Sequence, residues 1–364
     1  MPSASCKEIL IAPLDWGMGH TTRCIPIIAH MLSQGHHITF AGNEWQCHFI
    51  NKTFTHIETI NLEGYNVSYS KRGSGFLFSI LLQVPGLLKT IAAEHNWLLQ
   101  RAADKKYDLI ISDNRYGLWH PEIPSVILTH QLELITGMGN GTDRLFQQLH
   151  YKYLGRFKEI WVPDTASYMN LSGRLGHPKK LPPLTKYIGP LSQFYTNQTE
   201  ERINESTNQL LVLLSGPEPQ RTLLSVMLWE QVKTYTGKVV FVEGSNAIDA
   251  RTDIPEHVRY YKQLNRADLL PLLQEAAVVI CRSGYSSIMD LVALNKKAIL
   301  IPTSGQTEQE YLASYLQEAG MFYSMKQKDF DLQKVLGIIQ TFPFKQFTSD
   351  DAFASYKNVL NAVL

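Results

Sequence analysis

Two stretches of this chain carry residue types at spacings that could do chemistry. The first is Cys281-Arg-Ser-Gly-Tyr-Ser-Ser-Ile-Met-Asp290. It reads as a strand end, a small-residue turn and a helix. A turn at Ser283 and Gly284 aims free backbone N–H groups at an anion, because the first turn of a helix leaves its amides without partners. Ser283, Ser287 and Asp290 fall on one helical face, while Ile288, Leu291 and Val292 turn toward a core. A diphosphate at the helix tip, with Arg282, Tyr285 and Ser286 around it and a ribose beside Asp290, is the economical reading. The second half of the chain is therefore expected to hold a nucleotide sugar.

The second stretch is Pro13-Leu-Asp-Trp-Gly-Met-Gly-His-Thr-Thr-Arg23. Gly17 and Gly19 permit a sharp turn and close approach of a ligand. His20 then stands at a helix N-terminus, where the dipole disfavours imidazolium. A neutral imidazole there can take a proton from a sugar hydroxyl. Asp15 is a rival base or the group that orients His20. G-x-G-H is not the dinucleotide fingerprint G-x-G-x-x-G, and a purely structural glycine turn capped by His20 fits the residues equally well. Asp113, Asn114 and His130 follow strands at their C-terminal ends, where ligands gather in open α/β sheets. Each alone also suits a turn or a helix cap; together they suggest an acceptor pocket.

Other motifs have plain structural readings beside the chemical ones. Ser215 and Gly216 begin a proline-stiffened loop, and Arg221 is placed to neutralise a phosphate. Leu264, after a strand at 258–262, belongs with the same ligand. In Gly305-Gln-Thr-Glu-Gln-Glu310, Thr307 and Glu310 match a capping box, while Gln306, Gln309 and Glu310 stand where sugar hydroxyls would be bound. The greasiest stretch, 76–91, is too short to span a bilayer and is broken by Pro85 and Gly86. Lys71, Arg72 and Lys89 accompany it, with no acid from 64 to 93, which suits either an anionic membrane surface or a buried helix. Asp329-Phe-Asp331 has the D-x-D form of a metal motif but lies in a polar surface segment, and no metal-ligand array is expected.

Alternating strand and helix patterns must position these residues. Strands are expected at 7–12, 37–41, 109–112, 125–129 and 159–163, with a helix over about 21–34, and again at 210–214, 238–243, 258–262, 277–281 and 298–302. This predicts two Rossmann-like, doubly wound parallel-sheet α/β domains facing a central cleft. The domains are 1–190 and 209–345. A linker at 191–208 lies within the polar stretch that starts at Gly189, and 346–364 holds an amphipathic helix able to cross back to the first domain. The 364 residues are 44% hydrophobic and 18% charged, with a net charge of +1, which argues against a general nucleic-acid binder. Four cysteines without metal or disulfide spacing suit a reducing cytoplasm. Neither a signal peptide nor a membrane-spanning run is expected, leaving a soluble or peripherally attached protein.

The quoted residues resemble the MurG-like glycosyltransferases, family 28, of GT-B fold. The C-R-S-G turn and Asp290, where that family has Glu, resemble its donor-ribose site. Gln309 matches the first of two sugar-binding glutamines, and Glu310 replaces the second. Gly17-Met-Gly-His20 resembles the acceptor loop and His130 the acceptor histidine, whereas Pro217 and Pro219 depart from a Gly-Gly-Ser turn. The resemblance implies an inverting, metal-independent transfer of a hexose or N-acetylhexosamine. The donor would be a UDP-sugar, with no other cofactor, and the acceptor a glycan or lipid-linked hydroxyl at the inner membrane face. A UDP-sugar hydrolase or epimerase, or a non-catalytic nucleotide-sugar sensor, would share the donor half.

Overall fold

The computed structural model describes residues 6–65, 76–135, 140–195, 209–244, 251–347 and 350–364, without the side chains of 76–84, 140, 142 and 350. The chain divides into two compact units, the first running to Gln193 and regaining the C-terminal helix, the second starting at Phe194.

The first unit contains β1 (Glu8–Pro13), α1 (Met18–Ser33), β2 (His37–Gly42), α2 (Glu44–Thr53), β3 (Glu58–Asn61), α3 (Phe76–Asp104), β4 (Leu109–Asp113), β5 (Ser125–Leu128), α4 (Asn140–Leu154), β6 (Glu159–Val162) and β7 (Thr185–Tyr187). Its strands form one seven-stranded parallel sheet in the order β3-β2-β1-β4-β5-β6-β7. The central strands are covered on both faces, so β1, β4 and β5 read as near-continuous apolar runs. The order reverses between β1 and β4, where Pro13 pairs with Asp113, and Asp113 pairs with Leu128 of β5. That register sets the ends of three strands side by side at the switch point of the sheet.

The second unit contains β8 (Leu210–Leu213), α5 (Gln220–Val232), β9 (Val239–Val242), β10 (Val258–Tyr261), α6 (Arg266–Glu275), β11 (Val278–Cys281), α7 (Tyr285–Ala293), β12 (Ala298–Leu300), α8 (Thr307–Glu318), β13 (Tyr323–Ser324) and α9 (Leu332–Ile338). Six parallel strands follow the order β10-β9-β8-β11-β12-β13. Cys281 pairs with both Leu213 and Leu300, so the loops after β8, β11 and β12 emerge together. Trp229, Phe241, Ile280 and Ile299 belong to one buried cluster beneath them.

Several expectations are corrected. Strands β3, β7 and β13 had no apolar signature; they are short sheet edges, which need only one covered face. Helix α1 starts at Met18 rather than near Thr21. The stretch from Gly189 begins inside the first unit: Leu191 and Ser192 are buried, and a Cβ on Gly189 would clash with the Ala352 carbonyl. Residues 196–208 of the expected linker lie outside the described residues. The last helix, α10 (Ser355–Val363), returns to the first unit, where Asn361 Oδ1 lies 3.0 Å from His30 Nε2 on α1 and Ser355 Oγ donates to the Ile188 carbonyl at 2.9 Å. Asp331 of the D-x-D pair caps α9, accepting from the Lys334 amide at 2.8 Å.

The apolar stretch 76–91 opens α3. Within it Ile91 is buried and clusters with Leu14, Tyr65 and Leu87, whereas Leu88 and Lys89 are exposed. Lys71 and Arg72 lie outside the described residues. Among the described residues no helix is long and apolar enough to cross a membrane.

Candidate active site

In the first unit the chain leaves β1 through Leu14 and turns at Gly17, whose φ of +95° is strained for any residue with a Cβ. Helix α1 begins at the next residue without a side-chain cap, placing Gly19 and His20 in its first turn. His20 Nδ1 lies 3.0 Å from Asp113 Oδ1, at the end of β4. Arg23, one turn further along α1, grips the same carboxylate: Nε donates to Oδ2 at 2.6 Å and Nη2 donates to Oδ1. Arg23 Nη1 lies 3.5 Å from His130 Nδ1, just past β5. Asp113 is fully buried, Arg23 and His130 are almost so, and the His20 side chain keeps 16% exposure.

These positions bear on three of the sequence expectations. Asp113, expected at the acceptor, is fully buried and lies against His20. His130, also expected at the acceptor, is enclosed beside Arg23. Asp113, not Asp15, orients His20. Asp15 accepts from the Tyr65 amide at 3.1 Å and lies so close to Gly64 that a Cβ there would clash with its Oδ2. Asp15 thus fastens the 63–65 segment to the glycine turn. Asn114 adopts φ +57°, and its buried Oδ1 has no hydrogen-bond partner among the described residues, leaving an acceptor atom at the strand end.

The electrostatics follow from this packing. Burial raises the Asp113 carboxyl, but the Arg23 guanidinium and the His20 contact outweigh it and hold the pKa at about 2. Burial lowers His20, with Asp113 opposing and Arg23 reinforcing the shift, so the imidazole stays neutral. In the tautomer that donates Nδ1–H to the carboxylate, Nε2 carries the lone pair. A second buried pair supports the floor: Arg115 Nη1 donates to Glu94 Oε1 at 2.7 Å and to the Glu63 carbonyl at 3.0 Å, and Nε donates to the Pro13 carbonyl at 2.8 Å.

In the second unit the turn after β11 leads into α7, with Gly284, which has no side chain to cap the helix, at the N-cap. Ser283 is wholly buried and precedes the helix, so it does not share a face with Ser287 and Asp290; its Oγ donates to the Gln309 carbonyl at 2.9 Å. Ser286 and Asp290 are half-buried, and Tyr285 is buried. Ile288, Met289 and Leu291 face the core; Val292 is only half-buried. Arg282 is 3% exposed and donates to the carbonyls of Gln220, Ile301 and Pro302 at 2.8, 3.3 and 3.2 Å. It forms no ion pair among the described residues, and burial lowers its pKa to about 10. A cation braced by carbonyls adds positive potential near the N-terminus of α7.

The neighbouring loops complete this surface. Ser215 and Gly216 are exposed, Gly216 at φ +105° with open space where a Cβ would stand. Arg221 pairs with Glu218 and donates to the Gly244 carbonyl at 2.8 Å, so part of its charge is already used. Leu264 is half-buried between β10 and α6, away from the β11 turn in the chain. The expected capping box is not formed: Gln306 occupies the N-cap of α8, and Glu310 Oε1 accepts from the Gly305 amide at 2.9 Å. Gln309 Oε1 accepts from the Thr303 amide at 2.9 Å. Both side chains brace the 303–305 loop. Among the described residues no group of three or more His, Cys, Asp or Glu could hold a metal ion.

The sequence reading missed Arg23. Its signal was a lone cation in the apolar run Cys24-Ile-Pro-Ile-Ile28, three residues from His20 and so on the same helical face.

Two parallel-sheet α/β units, one with an oriented histidine after its first strand and the other with a small-residue turn leading into α7, have the architecture of the GT-B fold. Solved structures agree with that fold. The glycosyltransferase of kitacinnamycin superposes over 99% of this chain and 96% of its own, with a TM-score of 0.64 and 13% identity. The spinosyn rhamnosyltransferase SpnG complexed with thymidine diphosphate covers 98% and 95%, with a TM-score of 0.63 and 15% identity. Residues 210–361 match the glycosyltransferase family 28 C-terminal domain. A glycosyltransferase of Methanosarcina mazei is 24% identical over 86% of this chain and 84% of its own length. The UDP-N-acetylglucosamine–N-acetylmuramyl-(pentapeptide) pyrophosphoryl-undecaprenol N-acetylglucosamine transferase of Histophilus somni is 26% identical over 92% and 89%. The chain is a glycosyltransferase; its residues 210–361 match the family 28 C-terminal domain, and its relatives include the MurG-type enzyme of Histophilus somni.

Proposed function

We propose that the protein moves a hexose or N-acetylhexosamine from a UDP-sugar to a hydroxyl acceptor, with inversion at the anomeric carbon and without a metal ion. The observation that carries this reading is the His20–Asp113 contact at 3.0 Å, which turns Nε2 of a neutral imidazole into a base. His20 Nε2 takes the proton of the acceptor hydroxyl as its oxygen bonds to the anomeric carbon. The bond from that carbon to the diphosphate oxygen breaks, and its electron pair leaves with the nucleoside diphosphate. The developing charge is met by the N-terminal dipole of α7 and the potential of Arg282, fixed dipoles and charge that need no reorganisation. Asp290 is assigned to the ribose, and Gln306, Gln309 and Glu310 to the sugar.

Uridine as the base and a lipid-linked acceptor are supported by the name of the Histophilus relative, and the thymidine diphosphate in the SpnG complex makes the base a point to test. Peripheral attachment to an anionic cytoplasmic membrane face through 76–91 is supported by exposed Leu88 and Lys89. The deciding experiment measures nucleoside diphosphate release from UDP-N-acetylglucosamine, UDP-glucose and their thymidine counterparts, with and without lipid-linked and free glycan acceptors. Acceptor-dependent release of UDP, lost in His20→Ala, is expected. Release that ignores the acceptor, or full turnover in the variant, would sink the assignment.

A further inference from the structure

Arg23 does more than neutralise Asp113. Its Nη2 lies 3.0 Å from His20 Nδ1, the same distance as Asp113 Oδ1 from that nitrogen. A ring nitrogen of neutral imidazole either carries a proton or offers a lone pair, never both. If Nδ1 carries the proton, it donates to Asp113, and Nε2 is a base. If Nδ1 offers the lone pair, it accepts from Arg23, the proton moves to Nε2, and His20 cannot receive one there. The carboxylate pulls Nδ1–H strongly because it is charged. The guanidinium, already donating to that carboxylate, pulls the other way.

Asp113 faces His20 from β4 and Arg23 faces it from its own helix. His130, beyond β5, faces Arg23 Nη1 at 3.5 Å, and the Cys24 thiol stands 3.9 Å from Asp113 Oδ2. The Arg23 guanidinium therefore stands beside the nitrogen through which the carboxylate acts. A lone His–Asp pair would favour imidazolium; a guanidinium at this distance opposes it.

Resting on the reading of His20 as base, we propose that Arg23 is a positioning residue that sets the tautomer of His20 and keeps its affinity for a proton low, by competing with Asp113 for Nδ1 while holding that carboxylate in place. A base restrained in this way stays unprotonated between turnovers and still takes a proton when the acceptor oxygen attacks.

The test uses the full chain with nitrogen-15-labelled histidine, reading the tautomer and titration midpoint of His20 by long-range correlation spectra, beside the pH profile of kcat/KM for UDP release. His20→Ala assigns the signal. In Arg23→Gln, the midpoint of His20 is expected to rise by about one pH unit or more, and the acidic limb of kcat/KM to move with it. In Arg23→Lys, whose single ammonium cannot hold both carboxylate oxygens and reach Nδ1, the Nδ1–H population is expected to rise. An unchanged midpoint in folded Arg23→Gln overturns the proposal. If that variant does not fold, an unchanged tautomer in Arg23→Lys does so. The spectra are independent of turnover: if His20→Ala stays fully active, the base assignment fails while the Arg23 effect on His20 stands or falls by itself.

Discussion

His20 Nδ1 and Asp113 Oδ1 lie 3.0 Å apart although 93 residues separate them in the chain. Parallel pairing of β1 with β4 creates the contact, because it sets the loop after one strand against the last residue of the other. His20→Ala is expected to lower kcat by about 10²–10⁴ while leaving nucleotide affinity nearly intact. Asp113→Asn should lower kcat too, and it should also destabilise the fold by about 3–5 kcal/mol, because Arg23 loses its anion. Steady-state kinetics with calorimetric UDP titration and melting curves separate the two effects; equal melting temperatures for both variants would contradict the buried pair.

Gly64 and Asp15 form a tight contact with a testable asymmetry. Gly64→Ala drives a methyl into the Asp15 carboxylate, and a cost of about 1–3 kcal/mol is expected, with reduced turnover as the glycine turn shifts. Asp15→Ala in that background removes the obstacle, so the double variant should melt above Gly64→Ala. Additive losses in a double-mutant cycle would refute the contact.

Gly216 and Gly337 both have open space where a Cβ would go, yet they should respond with opposite signs. Gly216→Ala forces φ +105° on a residue with a side chain and should cost about 1–2 kcal/mol, with weaker nucleotide binding. Gly337→Ala lies in α9 and should stabilise by about 0.5–1 kcal/mol. Denaturant midpoints and UDP titrations check both, and tighter nucleotide binding in Gly216→Ala would exclude that loop from the donor site.

Stability should fall in two steps on acidification. Burial depresses His20, and brings His150 to about 4, its ring held between the Tyr116 hydroxyl and the Gln131 carbonyl. Groups depressed on folding stabilise above the unfolded value, about 6.5 for histidine, and lose that contribution as pH falls through the folded value. The first decline therefore runs from about pH 6.5 to 4. Asp113, held at about 2, contributes above its unfolded value of about 3.9 and loses that contribution as pH falls toward 2. Melting temperatures against pH should show both steps, and His150→Gln should flatten the first. Parallel curves for variant and wild type between pH 6.5 and about 4 would show that His150 does not drive it.

The opening of α3 should bind anionic vesicles if Leu88 and Lys89 face a membrane. Flotation with phosphatidylglycerol vesicles, diminished by Leu88→Glu and Lys89→Glu together, is the expected result. Equal flotation of variant and wild type would assign this surface elsewhere.

Residue order alone determined the two doubly wound sheets, because central parallel strands must be apolar along their whole length and helices must alternate with them. It also determined the glycine turn before His20 and the small-residue turn at Ser283 and Gly284, since local backbone demands are written in local residues. The edge strands β3, β7 and β13 escaped notice because an edge covers only one face and carries no run of apolar residues. Tertiary structure alone decided what each polar side chain does. Asp113 and His130 look like ligand contacts when read as strand ends, yet packing buries them around Arg23. Ser283, Gln309 and Glu310 look from the sequence like ligand contacts alone, and the structure shows that they also brace loops within the second unit. Such roles depend on which groups sheet register brings within 3 Å of each other, and a hydrogen-bond partner tens of residues away leaves no trace in spacing along the chain.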